Sequence, residues 1–241
     1  MQAMQNRSEE LVHELGRKIV NGEYLPGEIL PKAEVLSEMH GVSRTVVREA
    51  LKGLATRKLI RSNQRSGTSV LPRAMWQWWD IDVLTWIIED ENNSDFILHL
   101  TDVRLGLEPM AAALAAKRAT DQDHVKIKAC FEKLEQSVGD ERAWAKADFE
   151  FHQSILHASY NDLMIGTIQS LHKALIISRE KTFHAVKEYA DPTFDSPTKE
   201  VLDRHRAIYE AVLARDEDLA RQKMTDLILR VKRLLEEIYV S

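Results

Sequence analysis

Asp148 and His152 stand four residues apart in the run Asp148-Phe149-Glu150-Phe151-His152. On a helix that spacing puts both side chains on one face. A carboxylate and an imidazole so placed can chelate one divalent cation, zinc or similar. The commoner use of such a pair is an ion pair on a solvated face. His205, in Asp203-Arg204-His205-Arg206, could add a third ligand from another helix, and His157, His172 and His184 are equally open at this point. Arg104, in Val103-Arg104-Leu105-Gly106-Leu107-Glu108, has apolar neighbours that predict burial. A buried guanidinium must be paired, either with Glu108 one turn on or with a bound anion.

A further group lies nearer the N-terminus. Residues 44–65 hold seven basic side chains (Arg44, Arg48, Lys52, Arg57, Lys58, Arg61, Arg65) and one acid, Glu49. Arg44, Arg48 and Lys52 recur every four residues, so they share one helix face with Thr45 beside them. Val46, Val47, Ala50, Leu51 and Leu54 occupy the other face. A basic face is as often simply solvated. Its setting says more: residues 1–72 carry 11 Lys/Arg against 8 Asp/Glu, while residues 73–241 carry 22 against 30, in a chain of net charge −5. A basic segment on an acidic protein is a footprint for phosphate.

The elements that would position these groups can be read from punctuation and periodicity. Ser8 can cap a helix carrying Leu11, Val12, Leu15 and Ile19, which stops near Gly22. A Pro26-Gly27 turn follows, then a short helix after Pro31 with Val35, Leu36 and Met39 as its apolar stripe. Gly41 ends it, and Ser43 caps the basic helix. A short helix, a glycine turn and a helix with a cationic outer face are the layout of a helix-turn-helix, in which the start of the second helix reaches base edges. Arginine suits that position because its fork bonds guanine O6 and N7 together. Leu59-Ile60-Arg61 and Thr68-Ser69-Val70 read as two strands, joined by 62–67 with Arg65 near the tip, a basic wing.

The predicted organisation is therefore a winged helix-turn-helix over 8–72, a linker over 73–79 and an all-helical domain over 80–238, mainly α throughout. Trp76, Trp78, Trp79 and Trp86 are read as packing between the two domains. Their neighbours Asp80, Asp82, Glu89 and Asp90 speak against a stacking platform for single-stranded nucleic acid. Helices are predicted over 80–90, 94–118, 121–137, 141–158, 162–184, 198–214 and 216–238. Thr120 and Asp123 form a capping-box pattern, and 185–197, with Pro192 and Pro197, reads as a loop. Such helices imply a bundle around an internal cavity.

A chain of 241 residues, 44% hydrophobic and 29% charged, suits one large or two modest soluble domains. No apolar run approaches the ~18 residues a membrane span needs, and MQAMQNRSEE lacks the layout of a signal peptide. The single cysteine, Cys130, excludes an internal disulfide and a Cys-rich zinc site, so a cytoplasmic location is expected.

The order of motifs carries a family resemblance. Gly22-x-Tyr24-x-Pro26-Gly27-x-x-Leu30-Pro31, then Val42-Ser43-Arg44-x-x-Val47-Arg48-x-Ala50-Leu51, then Leu59-Ile60 and Gly67-Thr68 resemble the GntR family of bacterial regulators over nearly all of 8–72. That implies operator contacts from Arg44, Thr45 and Arg48, with Arg65 and Gly67 in the wing. Many members read Pro-Ser-Glu-Arg where this chain has Pro31-Lys32-Ala33-Glu34. A basic contact is thus absent at Glu34, and Lys32 is the candidate replacement. Arg104-x-x-Leu107-Glu108-x-x-Ala111, Asp148-x-x-x-His152 and His205-x-x-Ile208-x-x-Ala211-Val212 resemble the FCD ligand-binding domain of the FadR subgroup over roughly 80–235.

By that resemblance Asp148, His152 and His205 hold a divalent metal ion. A further histidine present in metal-binding members would fall near Leu227 and is missing. A three-ligand site results, with coordination positions open to a hydroxy acid. The run from Trp76 and Trp78 through Asp80 and Asp82-Val83-Leu84 to Trp86 is similar to the linker of a sugar-acid-responsive member. It implies a sugar-acid effector, its carboxylate on Arg104 and its hydroxyls on the metal or on Asp148 and the histidines. Arg179 and Lys181 would be additional anion contacts.

The expectation is a homodimeric repressor on double-stranded operator DNA, released by a small carboxylate whose differential affinity shifts the protein between two states. An acyl-CoA or fatty-acid sensor would need a more apolar pocket. A metal-dependent hydrolase would need a placed general base or nucleophile, and Glu150, two residues from each helix ligand, points away; an enzyme is not expected.

Overall fold

The computed structural model describes residues 2–63, 65–90, 93–189 and 199–239, and the chain divides into two compact units, Met1–Asn92 and Asn93–Ser241. The first contains α1 (Gln2–Val20), α2 (Ala33–Met39), α3 (Arg44–Thr56), β1 (Ile60–Asn63), β2 (Gly67–Val70), a 3-10 turn at Arg73–Met75 and α4 (Ile81–Glu89). α1 begins at Gln2, so Ser8 lies inside the helix instead of capping it; Gln, Ala and Met are good helix formers and no breaker separates them from the periodic stretch.

Leu11, Leu15 and Ile19 of α1 are buried, as are Val46, Val47, Ala50 and Leu54 of α3, and the two helices pack together. Ser43 caps α3 by accepting a hydrogen bond from the Val46 N–H. The turn between α2 and α3 passes through Gly41 at φ +61°, a conformation that costs glycine nothing. α2 buries only Leu36; Val35 and Met39, expected on the same stripe, are exposed, because this seven-residue helix presents one narrow side to α3. β1 and β2 pair antiparallel from Ile60 opposite Val70 to Asn63 opposite Gly67, forming the wing.

Residues 73–90, expected as a linker and the sensor's first helix, belong instead to this first unit. The Trp76 indole N–H donates to the Leu71 carbonyl at 3.0 Å. Trp86 is buried and donates to His13 Nδ1 at 3.0 Å, with its ring over Gly16. Arg57, at the C-terminal end of α3, pairs with Asp80 at 3.1 Å and with Asp82. Trp76 and Trp86 therefore serve packing within the reading unit, which corrects the interdomain role expected of them.

The second unit is helical among the described residues: α5 (Ser94–Arg118), α6 (Asp121–Gln136), α7 (Glu141–Ala158), α8 (Asp162–Ser170), α9 (His172–Tyr189), α10 (Lys199–Leu213) and α11 (Glu217–Tyr239). α5 and α11 make the most extensive helix pair, and the small side chains Ala112, Ala115 and Ala116 belong to the core that Phe151, Ile208, Met224 and Ile228 complete. The helix expected over 162–184 is interrupted at Leu171 and resumes to Tyr189. The remainder of the expected loop, with Pro192 and Pro197, lies outside the described residues. The predicted capping box is present, Thr120 and Asp123 bonding reciprocally. Among the described residues no helix is long and apolar enough to cross a membrane.

Candidate functional site

Helices of the second unit carry six polar side chains to one buried place. Arg104 and Glu108 come from α5, Asp148 and His152 from α7, Arg179 from α9 and His205 from α10, and none exceeds 8% exposure. The i,i+4 spacing on α5 and on α7 stacks each pair on one inward face. The arrangement is alternating in charge. Arg104 Nε donates to Glu108 Oε1 at 2.8 Å. Glu108 Oε2 lies 2.6 Å from His152 Nδ1, and its Oε1 lies 4.0 Å from Arg179 Nη2. Arg179 Nε donates to Asp148 Oδ2, while Asp148 Oδ1 faces His205 Nε2 at 2.9 Å and His152 Nε2 at 3.8 Å.

Burial by itself would push both carboxyls up, but the surrounding cations outweigh it. The Arg179 guanidinium and the two imidazoles hold Asp148 well below the usual carboxylate range. Arg104, His152 and Arg179 hold Glu108 below it as well. Burial also lowers His152, with Glu108 and Asp148 opposing it and the net shift still downward. Its imidazole is accordingly favoured in the neutral state, the form that can ligate a metal.

Asp148, His152 and His205 each offer a ligand atom, all within 4.8 Å of one another. The surroundings of the rings suit a cation at that point. His205 Nδ1 lies 2.8 Å from the Val201 carbonyl, which can only accept, so that nitrogen carries a proton and Nε2 is the atom turned toward Asp148. Between Nε2 and the Asp148 oxygen there is a place for a proton or a metal ion. His152 is similarly placed: Glu108 sits beside its Nδ1 off the N–H direction, and neither ring nitrogen completes a hydrogen bond. One carboxylate and two imidazoles with an oriented outer shell fit a divalent ion. Leu227, where a further histidine could have stood, is packed in the hydrophobic core.

Arg104, Asp148, His152, Arg179 and His205 are thus brought together as the sequence suggested. His157, His172 and His184 are exposed, the His172 ring resting against Phe149. Lys181 is half-buried. Two participants were not singled out from sequence. Glu108 appeared only as a possible partner for Arg104, yet it touches Arg104 and His152 and lies near Arg179 as well. Gln153, adjacent to His152, carries an amide nitrogen shielded from solvent and without a hydrogen-bond partner. The sequence holds no signal for Gln153; for Glu108 the signal was the i,i+4 spacing to Arg104.

In the first unit Arg44, Thr45 and Arg48 project exposed from the first turns of α3. Lys32 is exposed at the N-cap of α2, and Arg65 is exposed at the tip of the hairpin. Gly67 opens β2 at φ +86°. Glu34 lies 3.5 Å from Arg44 Nη1, and Lys52 pairs with Glu49 at 2.7 Å. The cationic face is therefore open at Arg48 and partly countered at Arg44 and Lys52.

A winged helix-turn-helix with an exposed basic reading helix, followed by a helical unit enclosing a charged buried cluster, defines a DNA-binding transcriptional regulator with a small-molecule sensor domain. The chain belongs to the GntR family: residues 7–70 match the bacterial regulatory proteins of the gntR family, and residues 99–230 match the FCD domain. It is 30% identical to the galactonate operon transcriptional repressor of Escherichia coli K12, over 97% of this chain and 98% of that protein. It is 30% identical to the Glc operon transcriptional activator of the same organism, over 95% of this chain and 89% of that protein. The solved structure of Lar, which controls expression of the Listeria monocytogenes agr system, shares the fold with a TM-score of 0.58 at 18% identity, covering 96% of this chain and 97% of that one. The two Escherichia coli relatives are transcriptional regulators, and this chain belongs to the same class of protein.

Proposed function

We propose that the protein is a homodimeric repressor of a sugar-acid catabolic operon, released from double-stranded operator DNA in the cytoplasm by a small carboxylate effector. The observation that carries this reading is the buried cluster in which two arginines and a three-ligand Asp/His/His group meet. It offers cationic forks for a carboxylate beside donors for a metal that hydroxyl groups can join. The likeness to the galactonate operon transcriptional repressor supports a galactonate-like effector.

Arg44, Thr45 and Arg48 are assigned to base edges, all three being exposed on the first turns of α3. Lys32, Arg65 and the backbone at Gly67 are assigned to phosphates. A dimer would place one reading helix on each half-site of a pseudo-palindrome. In the sensor, Arg104 and Arg179 hold the effector's carboxylate, and Asp148, His152 and His205 hold the metal ion. When bound, the ion supplies Lewis-acidic coordination for the effector's oxygens.

Charge balance explains why metal and effector belong together. Arg104 and Arg179 offset Glu108 and Asp148, so a divalent ion adds uncompensated positive charge to a buried place, which an anionic effector would relieve. The same density of buried charge disfavours an acyl chain. A gel shift on the chain's own upstream region, with a panel of sugar acids and long-chain acyl-CoA, tests the reading. Retardation abolished by a sugar acid supports it. Retardation abolished only by acyl-CoA, or binding no tighter than to random duplex, refutes it.

A further inference from the structure

Gln153 follows His152 on α7 and lines two spaces at once. One is a void of about 10 Å³ beside Glu108, His152 and Arg179. The other is a groove of about 670 Å³ whose lining comes largely from α6, α7 and α9. Phe149 is the other side chain common to both. The inner void has room for roughly one water. Glu108, His152 and Arg179 line it, so a ligand group that reaches them from the groove passes Gln153 and Phe149, and the groove is where the rest of such a ligand would lie.

The groove's walls indicate what kind of chain. Lys126, Arg142 and Lys146 are matched by Asp123, Glu150 and Glu180, so no excess charge favours a second anionic group. At its inner end the Gln153 amide nitrogen is shielded from solvent and unpartnered. Buried donors are rarely left so, because an unmade hydrogen bond is costly. An acceptor on the ligand would satisfy it, and a hydroxyl oxygen on the carbons following a carboxylate is such an acceptor.

We propose that Gln153 is the specificity-determining residue of the effector site. Its amide donates to a hydroxyl of a polyhydroxylated tail that runs from the buried cluster into the groove, so the site selects sugar acids over short 2-hydroxy acids. The inference rests on the carboxylate-effector reading above and adds the length and hydroxylation of the ligand.

Calorimetric titration of the full chain, loaded with zinc, tests it. Wild type and Gln153→Met are each titrated with galactonate and with lactate. Methionine keeps the side chain's length and removes the donor. The expected result is a galactonate-to-lactate affinity ratio about tenfold lower in the variant, the value of one lost hydrogen bond. An unchanged ratio overturns the assignment, as does a wild type that binds lactate more tightly than galactonate; in both cases the carboxylate reading stands. A wild type that binds neither acid overturns that reading and the assignment with it. Because the ratio is taken within one protein sample, a general loss of stability does not imitate the effect. Should Gln153→Met fail to fold, Gln153→Leu, which removes the amide altogether, is expected to lower the ratio in the same way.

Discussion

Glu34 of α2 and Arg44 of α3 form an ion pair of 3.5 Å at the N-terminal end of α3. Both side chains are largely exposed, so the pair contributes little to stability, typically ~0–1 kcal/mol. Its consequence is for binding. In the proposed DNA contact, a carboxylate at that place would draw Arg44 away from the duplex and repel phosphate. Glu34→Gln is therefore expected to tighten binding several-fold on specific and random duplexes alike, and to steepen the salt dependence of affinity. Anisotropy titrations at two salt concentrations check this, and weaker binding by the variant would show that Glu34 instead holds Arg44 in its reading position.

Among the described residues Arg48 forms no ion pair, and it stands on the exposed face of α3. Arg48→Ala should lose roughly 1–3 kcal/mol on the operator if the fork reads a base. The loss should be concentrated on operator variants altered at one position. A uniform loss over all sequences would make Arg48 a phosphate contact.

Asp148 joins His152, His205 and Arg179, and its removal should be felt in metal content first. Asp148→Asn keeps the volume and removes the charge on which the ion depends. Metal analysis of dialysed protein is expected to show one ion per chain in wild type with zinc supplied, and about a tenfold lower content or less in the variant. Equal content in the two proteins would exclude the Asp/His/His group as the metal site.

Gly16 is tested by stability alone. A Cβ at this position would fall 2.3 Å from the Trp86 ring that docks α4 on α1. Gly16→Ala gains about 1 kcal/mol in helix propensity but must displace an indole, an overpacking that typically costs ~1–3 kcal/mol. A net loss of stability in thermal unfolding is expected, and a rise would mean that α4 yields without cost.

How much of this was legible beforehand differs from element to element. α5 and α7 run between their predicted ends, because Asn93, Thr120, Asp140 and Asn161 punctuate the chain there. Asp148, His152 and His205 could be nominated because helical spacing and motif order are properties of the sequence itself. Three features could not be read that way. Ser8-Glu9-Glu10 satisfies a helix start and a helix interior equally, so the real start at Gln2 was hidden. Trp86 meets Gly16 and His13 across some seventy residues, and composition does not say which unit a tryptophan will join. Glu108's contacts with helices α7 and α9 arise only when three helices converge; from sequence it had one visible partner.

In the proposed function one small acid and one DNA site are coupled through this chain. Linkage requires the coupling to be reciprocal. Galactonate affinity is therefore measured by calorimetry on the free protein and on the protein saturated with its operator duplex, beside the operator's affinity with and without galactonate. Each ligand is expected to weaken the other by the same factor, about tenfold or more. Galactonate affinity that is identical with and without operator would contradict it.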